Sequence, residues 1–350
     1  MLYPQSDVAV VGATGYGGAE LIRLLSTHPA VNLKHTIAID KVGLKVAEVM
    51  PNLNGLTDLT IENLEPEQVE VDLVFLALPH RVSATIGARY QACDVQVVDL
   101  SGDWRLRDPS QYTKYYGLEH PFPERMGSYV YGLPELNRAQ IAQSRCVASP
   151  GCFATATTLA LLPFARHGLL QGRVRVSAMT GSSGSGAAHS AGTHHPVRSV
   201  NLKPYKPLMH QHTPEIEQTL MLAGAQDLTL DFVPVSAPLS RGILTTAFFD
   251  VDGSIDASTI IEAMEQTYRD EPLVRVLSSG LPQVAAIKAS MFCDVAVTVG
   301  PVLSDGRRTV VAHSALDNIV KGGAGQAVQS MNIMLGVPET TGLLTAATWP

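Results

Sequence analysis

Cysteine is scarce in this chain, and what there is shows no arrangement for a metal or a disulfide. The four in 350 residues, Cys93, Cys146, Cys152 and Cys293, have neither C-x-x-C nor zinc-site spacing. A reduced, cytoplasmic setting is therefore expected rather than a disulfide framework. Positive charge is also in deficit: 25 Lys and Arg against 32 Asp and Glu leave a net charge of −7. That balance lacks the basic footprint of a nucleic-acid binder, but local donor clusters can still take small anions. No apolar run reaches the roughly 18 residues of a membrane span. The opening Met1-Leu2-Tyr3-Pro4-Gln5-Ser6-Asp7 has no basic or apolar leader region. No nucleic acid, membrane or metal partner is expected. What remains is ordinary globular composition, 45% hydrophobic and 16% charged, with length enough for two domains.

The first half reads as alternating strands and helices. Apolar strands fit Val8 to Val11, Asn32 to Ile39, Asp72 to Leu78 and Val95 to Leu100, with an amphipathic helix from Ala19 to about Thr27. Near-continuous apolar strands imply a parallel sheet covered on both faces, with ligands at the carboxyl ends of its strands. After Cys152 the pattern changes. Strands fit residues 173–180, 228–236, 243–251 and 292–300, and helices fit 213–224 and 256–270. A last helix is expected from about Leu316 to Leu335. The predicted fold is an α/β Rossmann-type dinucleotide-binding domain (residues 1–151 plus a returning 316–350) and an α+β catalytic domain (152–315). The sheet of the second domain should be mixed and largely antiparallel.

Two motifs carry the chemistry. Gly12, Gly15 and Gly18 stand between a strand and a helix, where glycines allow a tight turn, close approach to a pyrophosphate and close helix packing. Thr14, Tyr16 and Gly17 belong to the same loop. Pro79 and His80 close the third strand and should face the same coenzyme. Asp40 follows the second strand, where an acid bonds ribose hydroxyls and favours NAD. Lys41 and Lys45 could instead meet a 2′-phosphate, so these residues alone leave both coenzymes open. The second motif is Ser149-Pro150-Gly151-Cys152-Phe153. Pro-Gly turns the chain sharply, and Cys152 then opens an apolar helical run whose free N–H groups and dipole favour a thiolate nucleophile. Pro163 should kink or end that helix. A thiolate and a dinucleotide site on one chain suggest acyl-thioester redox chemistry.

Further residues complete the candidate site. Thr213 can cap a helix with Pro214 at its first position, and His210 and His212 just ahead of it are not expected in the core. One of them suits an acid/base role, His212 before His210; a metal is the alternative, but no third ligand has matching spacing. Ser183 and Gly184, in a small-residue loop, are candidate coenzyme contacts, and the N–H groups near them and around Cys152 are candidate oxyanion donors. Asn318 could touch the nicotinamide amide. Ser101, Arg105 and Arg198 are candidate substrate ligands, the arginines for carboxylate or phosphate. Two rivals are a non-redox cysteine acyl hydrolase and a coenzyme-binding regulator without catalysis.

Taken with Phe75-Leu76-Ala77-Leu78-Pro79-His80, Asp99-Leu100-Ser101-Gly102-Asp103-Trp104-Arg105, His210-Gln211-His212-Thr213-Pro214-Glu215 and Asp317-Asn318-Ile319-Val320-Lys321-Gly322, these segments resemble the N-acetyl-gamma-glutamyl-phosphate reductases, in the aspartate-semialdehyde dehydrogenase-like group. The resemblance runs along nearly the whole chain. It implies Cys152 as nucleophile, the His210/His212 segment as acid/base, NADP(H) as coenzyme with NAD(H) left open, and an acyl phosphate, semialdehyde and inorganic phosphate as small-molecule partners. It also implies a role in arginine biosynthesis and a homodimer or homotetramer formed through the second domain. The chain departs from the family pattern at Arg81 (commonly Gly), Trp104 (usually Phe) and Asp40 (often a small hydroxyl residue). The loop from Ser183 to Arg198 resembles as well a relative that reduces an N-acylated or carrier-linked alpha-aminoadipyl phosphate in lysine biosynthesis. One methylene in a pocket is worth only about 1–3 kcal/mol, too little to read from sequence.

Overall fold

The computed structural model describes residue 3 and residues 5–349. The chain forms two compact units. One runs to Gly151 and takes in Gly323–Leu344; the other comprises Cys152–Gly322 and the stretch from Thr345.

In the first unit β1 (Ser6–Val11), α1 (Tyr16–Leu25), β2 (Val31–Ile37), the short α2 (Val46–Val49) and β3 (Ile61–Glu62) form one half of a wound sheet. Next come β4 (Leu73–Leu76), α3 (Val82–Ala92), β5 (Gln96–Asp99), α4 (Pro109–Tyr116), β6 (Val130–Tyr131), α5 (Pro134–Ala142) and β7 (Cys146–Ala148). The strand order is β3-β2-β1-β4-β5-β7-β6, and every ladder is parallel. All four residues of β4 are buried, as covered parallel strands must be. The order reverses between β1 and β4, so their carboxyl ends flank the switch point where such sheets bind ligands.

The second unit opens on α6 (Cys152–Arg166), followed by β8 (Gln171–Thr180), α7 (His195–Arg198), β9 (Lys203–Pro204), α8 (Thr213–Leu222) and β10 (Gln226–Ser236). It continues through β11 (Ile243–Asp252), α9 (Ala257–Tyr268), β12 (Val274–Val276), β13 (Cys293–Val302) and β14 (Arg307–Leu316). The chain then returns to the first unit as α10 (Gly325–Met334). The second sheet runs β12-β13-β14-β11-β8-β10-β9; β12 with β13 and β8 with β10 are parallel, the other ladders antiparallel. Among the described residues no helix is long and apolar enough to cross a membrane.

Four expectations need correction. Helix α1 begins at Tyr16 rather than Ala19, because extended Gly15 takes the cap and Gly17 and Gly18 lie inside the first turn. Residues 307–316 form β14, which pairs along its full length with β11. Leu316 therefore ends a strand of the second sheet, and the chain leaves that unit after Gly322 rather than after residue 315. The final helix does not run unbroken from Leu316: a π turn over Val320–Ala324, with Gly323 outside helical geometry, precedes α10. Finally, α6 continues to Arg166, past Pro163. Pro163 has no N–H to offer the Leu159 carbonyl four residues earlier. The Tyr268 hydroxyl, arriving from α9, donates to that carbonyl at 2.5 Å instead. Every residue from Phe153 to Ala165 is buried, so α6 is a core helix, apolar on all sides.

Candidate active site

The glycine loop of the first unit is built as a coenzyme cradle requires. Gly12 has φ +89°, and a Cβ there would lie 2.2 Å from the Ala77 carbonyl oxygen just beyond β4. A Cβ on Gly18 would lie 2.2 Å from the Gly12 oxygen. The turn, the helix and the end of β4 therefore close up only without side chains, leaving the first N–H groups of α1 to a ligand. Thr14 Oγ1 donates to Asp40 Oδ1 at 2.6 Å, bringing the acid that follows β2 over the loop. Lys41 is exposed, with φ 58°. Tyr16 and Pro79 are exposed, and Gly17 is half-buried. These residues fit a dinucleotide.

Beyond β4 and β5 the backbone is held by buried carboxylates. Asp103 accepts from the N–H groups of Arg81 (2.8 Å) and Ala84 (3.0 Å) at the start of α3, and from the Tyr112 hydroxyl (2.8 Å). His80 Nδ1 accepts the Gly102 N–H at 3.0 Å, so His80 ties its loop to the next one while its ring stays half-exposed. Burial pushes the Asp99 carboxyl up to about 6, against the hydrogen bonds it receives from Ser83 and Ser101. Ser101 and Arg105, expected on the substrate, turn to their own unit. The Ser101 hydroxyl donates to Asp99 Oδ2 at 2.8 Å, and Asp103 N–H donates to it at 3.1 Å. Arg105 is buried and donates to the carbonyls of Ser149 (2.8 Å) and Leu100 (2.7 Å). It thereby holds the backbone three residues ahead of Cys152.

In the second unit Cys152 is the first residue of α6 and is half-buried. Its neighbour Phe153 meets both imidazoles edge-on, with centroids 5.4 Å from His210 and 6.2 Å from His212. Both histidines are buried, at 3% and 8% exposure, contrary to the expectation that they lie outside the core. Phe153, Phe232 and Tyr205, from three separate segments, box His210 at 5.4, 5.5 and 5.7 Å. Burial pushes His210 down to about 4, and Lys206 adds in the same direction. His210 is thus neutral at pH 7; its Nδ1 accepts the His212 backbone N–H at 3.2 Å, which leaves the proton on Nε2. His212, not Thr213, occupies the N-cap of α8, so Pro214 is the second residue of the helix rather than the first. Among the described residues the Thr213 hydroxyl has no hydrogen-bond partner.

Around these lie the other candidates of the same unit. Arg198 is buried and donates from Nη2 to the Thr180 carbonyl at 2.9 Å, while its buried Nε has no hydrogen-bond partner among the described residues. Burial lowers its pKa from the ordinary arginine value. Asn318 is buried: its Oδ1 accepts the Gly242 N–H at 2.6 Å and its Nδ2 donates to Ser183 Oγ at 3.0 Å. A Cβ on Gly184 would lie 3.5 Å from the same Nδ2. Asn318 thus orders the Ser183-Gly184 loop.

Sequence reasoning missed three residues here. The Tyr205 phenol, whose ring meets His210 edge-on at 5.7 Å, is pushed up by burial and further by the charge of Cys152, with Arg198 opposing. Asp317, fully buried, accepts from the N–H groups of Ile319, Val320 and Ala289 and lies 3.6 Å from the Arg241 guanidinium. Gly322 packs on Cys152, where a Cβ would lie 2.9 Å from that of the cysteine. Asp317 and Gly322 stand in the segment 317–322 that carried the family resemblance, but no role was read for either; nothing local marked Tyr205.

Known proteins place this arrangement. Residues 7–144 match the family model described as semialdehyde dehydrogenase, NAD binding domain, and residues 152–318 match semialdehyde dehydrogenase, dimerisation domain. N-acetyl-gamma-glutamyl-phosphate reductase of Methanosphaera stadtmanae is 38% identical over 346 residues, covering 98% of this chain and 99% of that one. Its namesakes in Geobacter sp. (strain M21) and Methanocaldococcus jannaschii are each 40% identical, covering 96% of this chain and 97% of theirs. The fold matches aspartate semialdehyde dehydrogenase II from Vibrio cholerae, with a TM-score of 0.72 at 17% identity over 95% of this chain and 99% of that one. The Candida albicans aspartate semialdehyde dehydrogenase with NADP gives a TM-score of 0.66 at 15% identity over 94% and 98%. The chain belongs to the semialdehyde dehydrogenase family of oxidoreductases, and within it to the N-acetyl-gamma-glutamyl-phosphate reductases.

Proposed function

We propose that the chain reduces N-acetyl-γ-glutamyl phosphate to N-acetylglutamate 5-semialdehyde and inorganic phosphate through a thioester on Cys152, in arginine biosynthesis. The observation that carries this is the placement of Cys152 at the amino end of a buried helix, with its neighbour Phe153 packed on both histidines. The helix terminus supports the anionic sulfur. The thiolate attacks the acyl carbon, the S–C bond forms, the C–O bond to phosphate breaks, and phosphate leaves with that electron pair. A reduced nicotinamide coenzyme, when bound, supplies a hydride to the thioester carbonyl. His212, having taken the thiol proton of Cys152, returns it to the departing sulfur as the tetrahedral alkoxide re-forms its C=O bond and the C–S bond breaks, while neutral His210 holds the His212 backbone in place. N–H groups at the start of α6 are the oxyanion donors in this reading; those of Ser183 and Gly184, expected to share that role, instead donate to the carbonyls of Ser240 at 3.0 Å and Gly181 at 3.4 Å. Arg198, with an unpartnered Nε, is the substrate-anion ligand. Gly12, Thr14, Gly15, Tyr16, Gly17, Gly18, Asp40, Lys41, Pro79 and His80 hold the coenzyme, which the resemblance expects to be NADP(H). The matched dimerisation domain supports a homo-oligomer.

The test follows coenzyme reduction at 340 nm, with phosphate and N-acetylglutamate semialdehyde, the aminoadipate semialdehyde homologue in parallel, and NADP or NAD. Reduction that depends on phosphate and is lost in Cys152→Ser, with coenzyme binding retained, is the expected result. Turnover that survives Cys152→Ser sinks the thioester.

A further inference from the structure

We infer that Asp40 makes this coenzyme site selective for the unphosphorylated dinucleotide, NAD(H), over NADP(H). The inference rests on the reading of the glycine loop as a dinucleotide cradle and narrows which coenzyme it takes. Thr14 lies within the loop that receives the pyrophosphate, and its hydroxyl donates to Asp40 Oδ1 at 2.6 Å. The carboxylate is therefore fixed one hydrogen bond from the loop, where the adenosine ribose follows the pyrophosphate. Among the described residues Thr14 is the one polar partner of Asp40. An ionised carboxylate has about four lone-pair sites. With one taken, enough remain for both ribose hydroxyls, which are donors. A 2′-phosphate removes one donor and puts negative charge beside negative charge, which is strongly unfavourable.

The nearby cations do not reverse this. Lys45 is drawn toward Asp58 at 3.5 Å. Lys41, one residue on, is exposed, in left-handed backbone and not paired with Asp40. No arginine fork of the kind that clasps a 2′-phosphate stands in the segment from Ile39 to Met50.

The experiment titrates the substrate-free protein with NADH and NADPH by nicotinamide fluorescence, and with 5′-ADP and 2′,5′-ADP by calorimetry. NADH should bind at least about tenfold more tightly than NADPH, and 5′-ADP more tightly than 2′,5′-ADP. Asp40→Asn keeps an acceptor for Thr14 and removes the charge; Asp40→Ser also shortens the side chain. Both should narrow or invert the ratio with unchanged melting temperature. NADPH binding as tight as NADH in the unsubstituted protein overturns the inference, and so does a ratio indifferent to both substitutions. Substrate is absent, so selective binding together with failed semialdehyde oxidation would refute the proposed reaction and leave this inference standing.

Discussion

The ring of His210 accepts the backbone N–H of His212 at 3.2 Å, and that bond gives two histidines two positions apart different settings. His210 is boxed by aromatic rings and neutral; its Nδ1 is committed to the chain. His212 sits at the helix cap, where its ring is carried by a fixed backbone. His212→Asn should lower kcat by about a hundredfold or more with little change in coenzyme binding. His210→Gln, which preserves an acceptor, should keep most activity. Steady-state kinetics of both variants decide the order; a large loss confined to the His210 variant reverses it.

Acid should weaken the fold through the same residue. His210 falls from 6.5 in the unfolded chain to about 4 in the folded one. The unfolded chain therefore binds more protons between these values. The stability from keeping His210 neutral is whole above pH 6.5 and drains away as pH falls toward 4. The full swing is on the order of 3 kcal/mol. Denaturant midpoints measured from pH 7 to 5 should drop less in His210→Gln than in the unsubstituted protein. Parallel slopes would show that His210 already titrates normally when folded.

Tyr268 and Pro163 should be coupled through the Leu159 carbonyl. Tyr268→Phe leaves that buried acceptor without a donor and should cost about 1–3 kcal/mol. In a Pro163→Ala background the alanine N–H can take the same carbonyl, so the second substitution should cost much less. A double-mutant cycle by chemical denaturation measures this; additive costs would mean the hydroxyl matters for packing alone.

Arg81 should be a strained position. It precedes α3 at φ 67° and ψ −40°, a region that side chains avoid and glycine tolerates. Its backbone N–H is fixed by Asp103 at 2.8 Å, which holds the conformation whatever the side chain. Arg81→Gly should raise stability by about 1 kcal/mol. A lower melting temperature would show that the arginine side chain contributes more than the strain removes.

The parallel sheet was legible because its strands are short apolar runs ending in turn residues, as Leu73 to Leu76 before Pro79 illustrates. The helix starting at Cys152 was legible from Pro-Gly and the apolar run. Strand β14 was not: its partners Ile243 to Asp252 lie far upstream, and the turn at Asp317 depends on Arg241 and Ala289. The histidines looked exposed because the rings that bury His210 come from residues 153, 205 and 232. Pro163 read as a helix stop because the hydroxyl that replaces its missing donor arrives from residue 268. Local signals mark where a chain turns; burial and rescued hydrogen bonds depend on partners that only the fold brings near.

Gly322 leaves Cys152 so little clearance that one methyl group would intrude on it. The opening residue of α6 is thus fitted against a single hydrogen atom. On the proposed mechanism, an alanine there is the smallest edit able to turn that sulfur while erasing none of the groups proposed to act with it.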